Sequence, residues 1–267
     1  MALPMNTLLI TVLAFVAPAT PSIPPTTHDL LTRAGHSADE FWKQIQSVNC
    51  VETVEQARLS RQGKVVYKQQ SVFDYLVMIE FTPDDLVLDE SRAVIPQPPE
   101  KKKKADEAKV ALAVTNGFPA FELIFHPLYQ HSFEYSPPER VLADGKPALL
   151  VHFRHVHGTR SPSVLKLKSR EYPIEWEGTA WLDPDTYEVT RISASVLNSL
   201  AEIGLNTLKA DVRYAPVQFK EESTAHLLPA SASIEVETAH QHWRNTHTFA
   251  QYRHFSVDVK TEMGAPQ

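Results

Sequence analysis

Alternation constrains this chain more than any other feature. Phe73, Tyr75, Val77, Ile79 and Phe81 share one parity while Asp74 and Glu80 take the other. Leu208, Ala210, Val212 and Tyr214 alternate in the same way with Lys209, Asp211 and Arg213. Ile234 and Val236 stand against Glu235 and Glu237, and Phe249, Phe255, Val257 and Val259 against His254, Ser256 and Asp258. A period of two puts each set on one face of a β-strand, and many strands with one wet face pair antiparallel. At 267 residues, 43% hydrophobic and 22% charged, the chain has enough apolar material to bury the dry faces in one domain.

Turn chemistry marks where strands reverse. Asp183-Pro-Asp-Thr186 separates Thr179-Ala-Trp-Leu182 from Glu188-Val-Thr-Arg-Ile192, and Ala143-Asp-Gly-Lys146 precedes a strand expected from Ala148 to His157. Pro216 predicts a bulge or an edge position in the strand that contains it. Ser37-Ala-Asp-Glu40 reads as a capping box, with Ala38, Phe41, Ile45 and Val48 on one face of a short helix that opens the domain. Gly117 to Tyr129 is the most apolar segment after the N-terminus and fits helix or strand equally.

Leu8 to Val16 is an apolar run ending near Ala17-Pro-Ala19, too short for a bilayer span of about 20 residues, and reads as a signal peptide over 1–19 cleaved near Ala19. Residues 20–36, with Pro21, Pro24 and Pro25, read as a linker, 37–260 as the domain and 261–267 as a tail. Within the domain, 96–109 carries four consecutive lysines and is expected to be a low-complexity loop. The expected product is exported, periplasmic or extracellular, with no transmembrane segment in the mature chain. A net charge of −6 gives no reason to attract nucleic acid. Cys50 is the only cysteine and reads as a buried small hydrophobe.

Searches for a nucleophile elbow, a zinc-protease helix, a phosphate loop or a paired-cysteine motif find nothing, so neither catalytic residues nor a cofactor are assigned. Asp183 and Asp185 are turn formers. Histidine is abundant, with twelve copies, and two pairs stand at spacing two: His155 with His157, and His240 with His242. On a strand each pair points to one side, at the end of an apolar face. Four imidazoles meeting there could bind zinc or copper, whereas separate pairs only lend polarity to a rim, which is the default reading.

Gly178-Thr-Ala-Trp-Leu-Asp-Pro-Asp-Thr-Tyr-Glu-Val-Thr-Arg-Ile192 resembles the strand-turn-strand of periplasmic lipoprotein carriers related to LolA and LolB. Leu227-Leu-Pro229, His242-Trp-Arg-Asn-Thr-His-Thr-Phe249 and Tyr252-Arg-His-Phe255 resemble closing strands of exported relatives of that superfamily. The likeness spans most of 37–260. It implies a mainly β (α+β) fold: an antiparallel curved sheet forming an incomplete β-barrel, with an N-terminal helix and one or two covering helices. It further implies a non-catalytic carrier or sensor whose concavity holds an apolar ligand such as a lipid or lipoprotein acyl chain. Strand parity nominates Phe73, Tyr75, Val77, Ile79, Leu149, Val151, Phe153 and Trp181 as its lining. The alternatives are a histidine-rich metal protein or enzyme, and an envelope module that binds a protein partner through a sheet edge.

Overall fold

The computed structural model describes residues 24–81, 86–97, 118–167, 170–220 and 222–254. The expected signal peptide, most of the 96–109 loop, the tail, and Phe255, Val257 and Val259 lie outside the described residues.

Strands run in chain order as β1 (Val48–Leu59), β2 (Val65–Phe81), β3 (Leu86–Val94), β4 (Phe133–Tyr135), β5 (Glu139–Ala143), β6 (Lys146–His155) and β7 (Val164–Leu167). They continue as β8 (Arg170–Pro173), β9 (Trp176–Leu182), β10 (Val189–Val196), β11 (Leu205–Val217), β12 (His226–Thr238) and β13 (His242–His254). Among the described residues one eleven-stranded sheet has the order β3-β2-β1-β13-β12-β11-β10-β9-β6-β4, with β5 also paired to β6, while β7 and β8 form a separate hairpin. Every pairing is antiparallel. The first strand meets the last, yet β3 and β4 end the order without closing it. The mainly β fold with an open, incomplete barrel is therefore as the sequence predicts.

Register shows how the face is built. Val54, His247, Ala232, Val212, Ile192, Ala180 and Val151 follow one another across β1, β13, β12, β11, β10, β9 and β6, and all are buried. The next rung runs Gln69, Gln56, Asn245, Ile234, Ala210, Ala194, Gly178 and Phe153. Small residues occupy the middle strands, which leaves a trough for other elements to fill. At Gly178 the constraint is absolute, since an added Cβ would lie 2.2 Å from Ser193 O and 2.8 Å from Phe153 Cζ.

Turns fall where predicted. Asp183 Oδ1 accepts from the backbone N–H groups of Asp185 and Thr186 at 2.8 and 3.0 Å, closing the β9–β10 hairpin. Asp144 and Gly145, at φ 50° and 78°, join β5 to β6. β11 continues through Pro216, but its pairing with β10 stops at Arg213 and its register with β12 shifts between Arg213 and Tyr214. The missing N–H therefore falls beyond β10, next to a bulge.

The N-terminal helix corrects the sequence reading. α1 spans Thr27–Ile45 and is capped by Thr26, whose hydroxyl oxygen accepts from Asp29 N, so the expected linker is helical from residue 27 and Ser37 is no cap. The cause is a Thr-x-x-Asp pair directly after Pro25, which starts the helix eleven residues earlier. Leu30, Ala34, Gly35, Ala38, Trp42 and Ile45 form its buried stripe. Val48, assigned to that helical face from the sequence, instead opens β1. Ser37 donates to Thr186 O at 2.9 Å and Arg33 lies 3.8 Å from the centre of the Tyr187 ring, tying α1 to the β9–β10 turn. Gly35 lets the short helix α2 (Pro127–Gln130) approach, since a Cβ there would stand 2.8 Å from Gln130 Nε2.

Residues 118–130 are neither strand nor one regular helix. Phe118–Ile124 form a seven-residue 3-10 helix that leads into α2. Apolar side chains on all sides give no parity to read, and runs of 3-10 helix beyond three or four residues are uncommon. Among the described residues no helix is long and apolar enough to cross a membrane.

Candidate functional site

The inner face of the sheet carries most of the nominated lining. Leu149, Val151 and Phe153 are buried on β6, and Tyr75 and Val77 on β2, while Ile79 packs against the same apolar cluster half-buried. Phe73 shares their parity and is half-buried, opposite Glu52 in register. The two groups sit on separate flanks, with β1, β13, β12, β11, β10 and β9 between β2 and β6. Trp181 does not join them. Its neighbours Ala180 and Leu182 face inward at 0% exposure, which turns Trp181 to the outer face beneath the Arg191 guanidinium, 4.6 Å from its ring centre.

The trough at β6 and β9 is filled by the 118–130 segment. Phe121, Leu123, Ile124 and Phe125 are buried, with the Phe121 ring 4.9 Å from Trp176. Phe133 closes on Phe153 edge-to-face at 6.0 Å. Few polar ties hold this plug: Gln130 Nε2 donates to Leu31 O and Phe125 O at 2.7 and 2.6 Å, and the Tyr135 hydroxyl donates to Ile124 O.

On the other flank the same face turns polar. Glu52 is fully buried on β1 and takes Arg92 Nε and Nη2 at 2.6 and 3.0 Å from β3, and His247 Nδ1 at 2.7 Å from β13. Arg92 also pairs with Glu90 at 2.9 Å and stands 4.8 Å from the Tyr75 ring centre. Burial alone would raise the Glu52 carboxyl, but hydrogen bonds from His247 and Arg92 outweigh it and hold the group below its ordinary range. Gln56 and Gln69 extend the polar rung, with Gln69 Nε2 donating to Gln56 Oε1 at 2.9 Å. The sequence reading missed this cluster, although Glu52 stands at an inward parity between Cys50 and Val54 and His247 shares the inward parity of Phe249. Cys50, beside Glu52, is buried, and burial pushes its thiol up to about 12.

The nominated histidines do not meet. His155 is buried and bonds Arg160 O through Nε2 at 3.1 Å, whereas His157 lies past the end of β6 and pairs with Glu175 at 2.6 Å. His240 is exposed in the β12–β13 turn and His242 pairs with Glu235 at 2.8 Å. The pairs lie at the ends of β6 and β13, with β9, β10, β11 and β12 between those strands. Among the described residues no group of three His, Cys, Asp or Glu is placed to hold a metal ion. A further unforeseen pairing is Glu222, which accepts from His226 and, at 2.8 Å, from His254.

No protein-family model and no curated protein matches the chain. Solved structures do overlap with it. One, described as an outer membrane lipoprotein-sorting protein domain from Vibrio parahaemolyticus, is 9% identical, with 86% of this chain and 95% of that chain covered at a TM-score of 0.40. Another, a DUF1329 family protein from Desulfovibrio piger, is 11% identical over the same shares at a TM-score of 0.41. At TM-scores this low the overlap leaves function to be argued from the chain's own geometry.

Proposed function

We propose that the chain is an exported, non-catalytic carrier that takes an acyl chain or a similar apolar ligand into the trough of its open sheet. The supporting observation is the plug. The trough is filled by Phe121, Leu123, Ile124 and Phe125 of a separate 3-10 segment, not by the sheet's own side chains. An acyl chain entering against Leu149, Val151 and Phe153 replaces like with like, so exchange of plug for ligand needs little net change in buried apolar area. Tyr75, Val77 and Ile79 extend that surface on β2, and the polar Glu52 flank bounds it.

Uptake of a fluorescent fatty acid by the full chain, with native mass spectrometry of protein purified from its own envelope, tests the reading. A ligand that binds only the plug-released state gains apparent affinity as that state becomes more populated. Leu123→Ala, which weakens the plug, is therefore expected to tighten fatty-acid binding, by about tenfold for each ~1.4 kcal/mol lost from the plug's packing. Unliganded protein in the mass spectrum together with no uptake by wild type or Leu123→Ala rejects the carrier function.

A further inference from the structure

A cavity of about 110 Å³ lies under α1 where it crosses the start of β10 and β12, lined by Ala38, Phe41, Gln44, Glu122, Glu188 and His226 among others. Its floor is Glu122, a single acid within the apolar plug and only 3% exposed. Among the described residues no side chain completes a well-aligned hydrogen bond to that carboxyl. The Tyr214 hydroxyl is buried against that carboxyl and interacts with it without completing a well-aligned bond, and Gln44 Nε2 is buried without a partner. The Glu122 carboxyl and the Gln44 amide thus border one small space with bonding capacity to spare, while Tyr214 touches the carboxyl from outside the lining, although buried polar groups are otherwise nearly always satisfied.

The charge of the lining selects the occupant. Glu40, Glu122 and Glu188 all border the cavity, and neither lysine nor arginine is among its lining residues. Lys43 sits outside on α1, engaged by Asp39 and Glu40 at 2.7 and 2.8 Å. His226 is engaged by Glu222. Turning the Gln44 amide would present its oxygen to the space, and the Phe41 ring supplies an aromatic wall suited to a cation. At ~30 Å³ per water the volume holds about four waters, the size of a two-carbon amine and too small for a trimethylated one.

We propose that this cavity binds a small primary ammonium group, either a free amine or the aminoethyl end of a lipid headgroup, with the Glu122 carboxylate as its counter-ion. Burial pushes the empty Glu122 carboxyl up to about 8, so the ligand displaces a proton on entry near neutrality. The groups facing it are Tyr214 from β11, Glu188 before β10, His226 at the start of β12 and Glu40 on α1. Binding should therefore tighten as pH rises and level off above about 8.

The proposal stands apart from the carrier function and is tested separately, by calorimetric titration of the full chain with ethanolamine. Affinity is expected to rise by nearly tenfold between about pH 6.5 and 7.5. Glu122→Gln, which keeps the shape and removes the charge, should lose at least about tenfold in affinity while unfolding no earlier than wild type at pH 8. Ala38→Leu, which fills the space and keeps the carboxyl, should lose binding too and serves if the first variant fails to fold. Dihexanoyl phosphatidylethanolamine and phosphatidylcholine identify the source: retention of the first alone, dependent on Glu122, marks a headgroup site, and binding of ethanolamine without either lipid marks a free-amine site. Absence of binding by ethanolamine and by phosphatidylethanolamine, or binding that both variants leave unchanged, overturns the proposal and makes the cavity a hydration site.

Discussion

Glu52 and Glu122 are both buried in this protein, and they are opposites. Glu52 belongs to the regular sheet, where register carries Arg92 and His247 to it from β3 and β13 on the inner face. Glu122 belongs to the 3-10 plug, with the Tyr214 hydroxyl against it, the acids Glu40 and Glu188 and His226 around its cavity, and no lysine or arginine among the lining residues. One carboxyl is held below its ordinary range and the other is raised to about 8. The difference shows what regular structure does for a buried charge: neighbouring strands repeat partners at fixed spacing, whereas an irregular segment brings only what happens to pack there. The satisfied group locks its flank, and the unsatisfied one remains available to a ligand.

Removing the satisfied group should have the larger effect. Glu52→Ala takes from the Arg92 guanidinium, which is only 13% exposed, the carboxylate that accepts two of its N–H groups. Breaking a buried pair from one side typically costs ~3–5 kcal/mol, and urea unfolding at pH 7 is expected to show a loss of that size. A loss below ~1 kcal/mol would mean that the network contributes nothing to the fold and would erase the contrast. Phe153→Ala belongs in the same range, at ~3–5 kcal/mol, because its ring is 2% exposed and packs on Phe133.

The pH dependence of stability should carry opposite signs at the two sites. Glu52 has a depressed folded value, so its contribution is present above the ordinary carboxylate range and is lost as acid carries the pH down through the folded value. Glu122 has a raised one, so the folded state keeps a proton that the unfolded chain gives up, and stability falls as pH climbs from about 4.5 toward 8. Glu122→Gln should remove that decline. The variant's gain over wild type should grow between pH 5 and 8, reaching on the order of a few kcal/mol in urea unfolding. A constant difference across that range would show that Glu122 is already paired in solution.

Much of this was legible in the sequence, and the exceptions have physical causes. Parity located β2, β11 and β12 because each has one dry face, and Asp-Pro and Asp-Gly turns located the β9–β10 and β5–β6 reversals. The plug carries apolar residues on every side and so offered no period. His247 and Glu52 are 195 residues apart, which hides their pairing, though a polar residue at an inward parity marks each. The helix start was misplaced because two Ser/Thr-x-x-acid patterns occur eleven residues apart, and the earlier one, after two prolines, has the extended backbone at ψ 158° that a cap requires. Thr26→Ala is accordingly expected to cost ~1 kcal/mol, read by thermal or urea unfolding, and an effect near zero would return the helix start to Ser37.

The smallest expected effect concerns Trp181, which size alone suggested for the ligand surface. In Thr179-Ala-Trp-Leu182 the inward places go to Ala180 and Leu182, because the sheet needs a small side chain where the plug descends and Trp would fill the trough. Trp181 lies outward between Leu150 and Arg191 in register, and Arg191 keeps its own bonds to Asp211 at 3.0 and 2.6 Å whether or not the indole is present. Trp181→Ala therefore forfeits a half-exposed ring and one cation–π contact, worth about 1 kcal/mol or less, against ~3–5 kcal/mol for Phe153→Ala. Fatty-acid uptake should be unchanged, because the indole and the trough are on opposite sides of one strand. A loss of stability as large as that of Phe153→Ala would mean that the outer face of β9 is covered in solution, and a loss of uptake would mean that the ligand lies on the outer face.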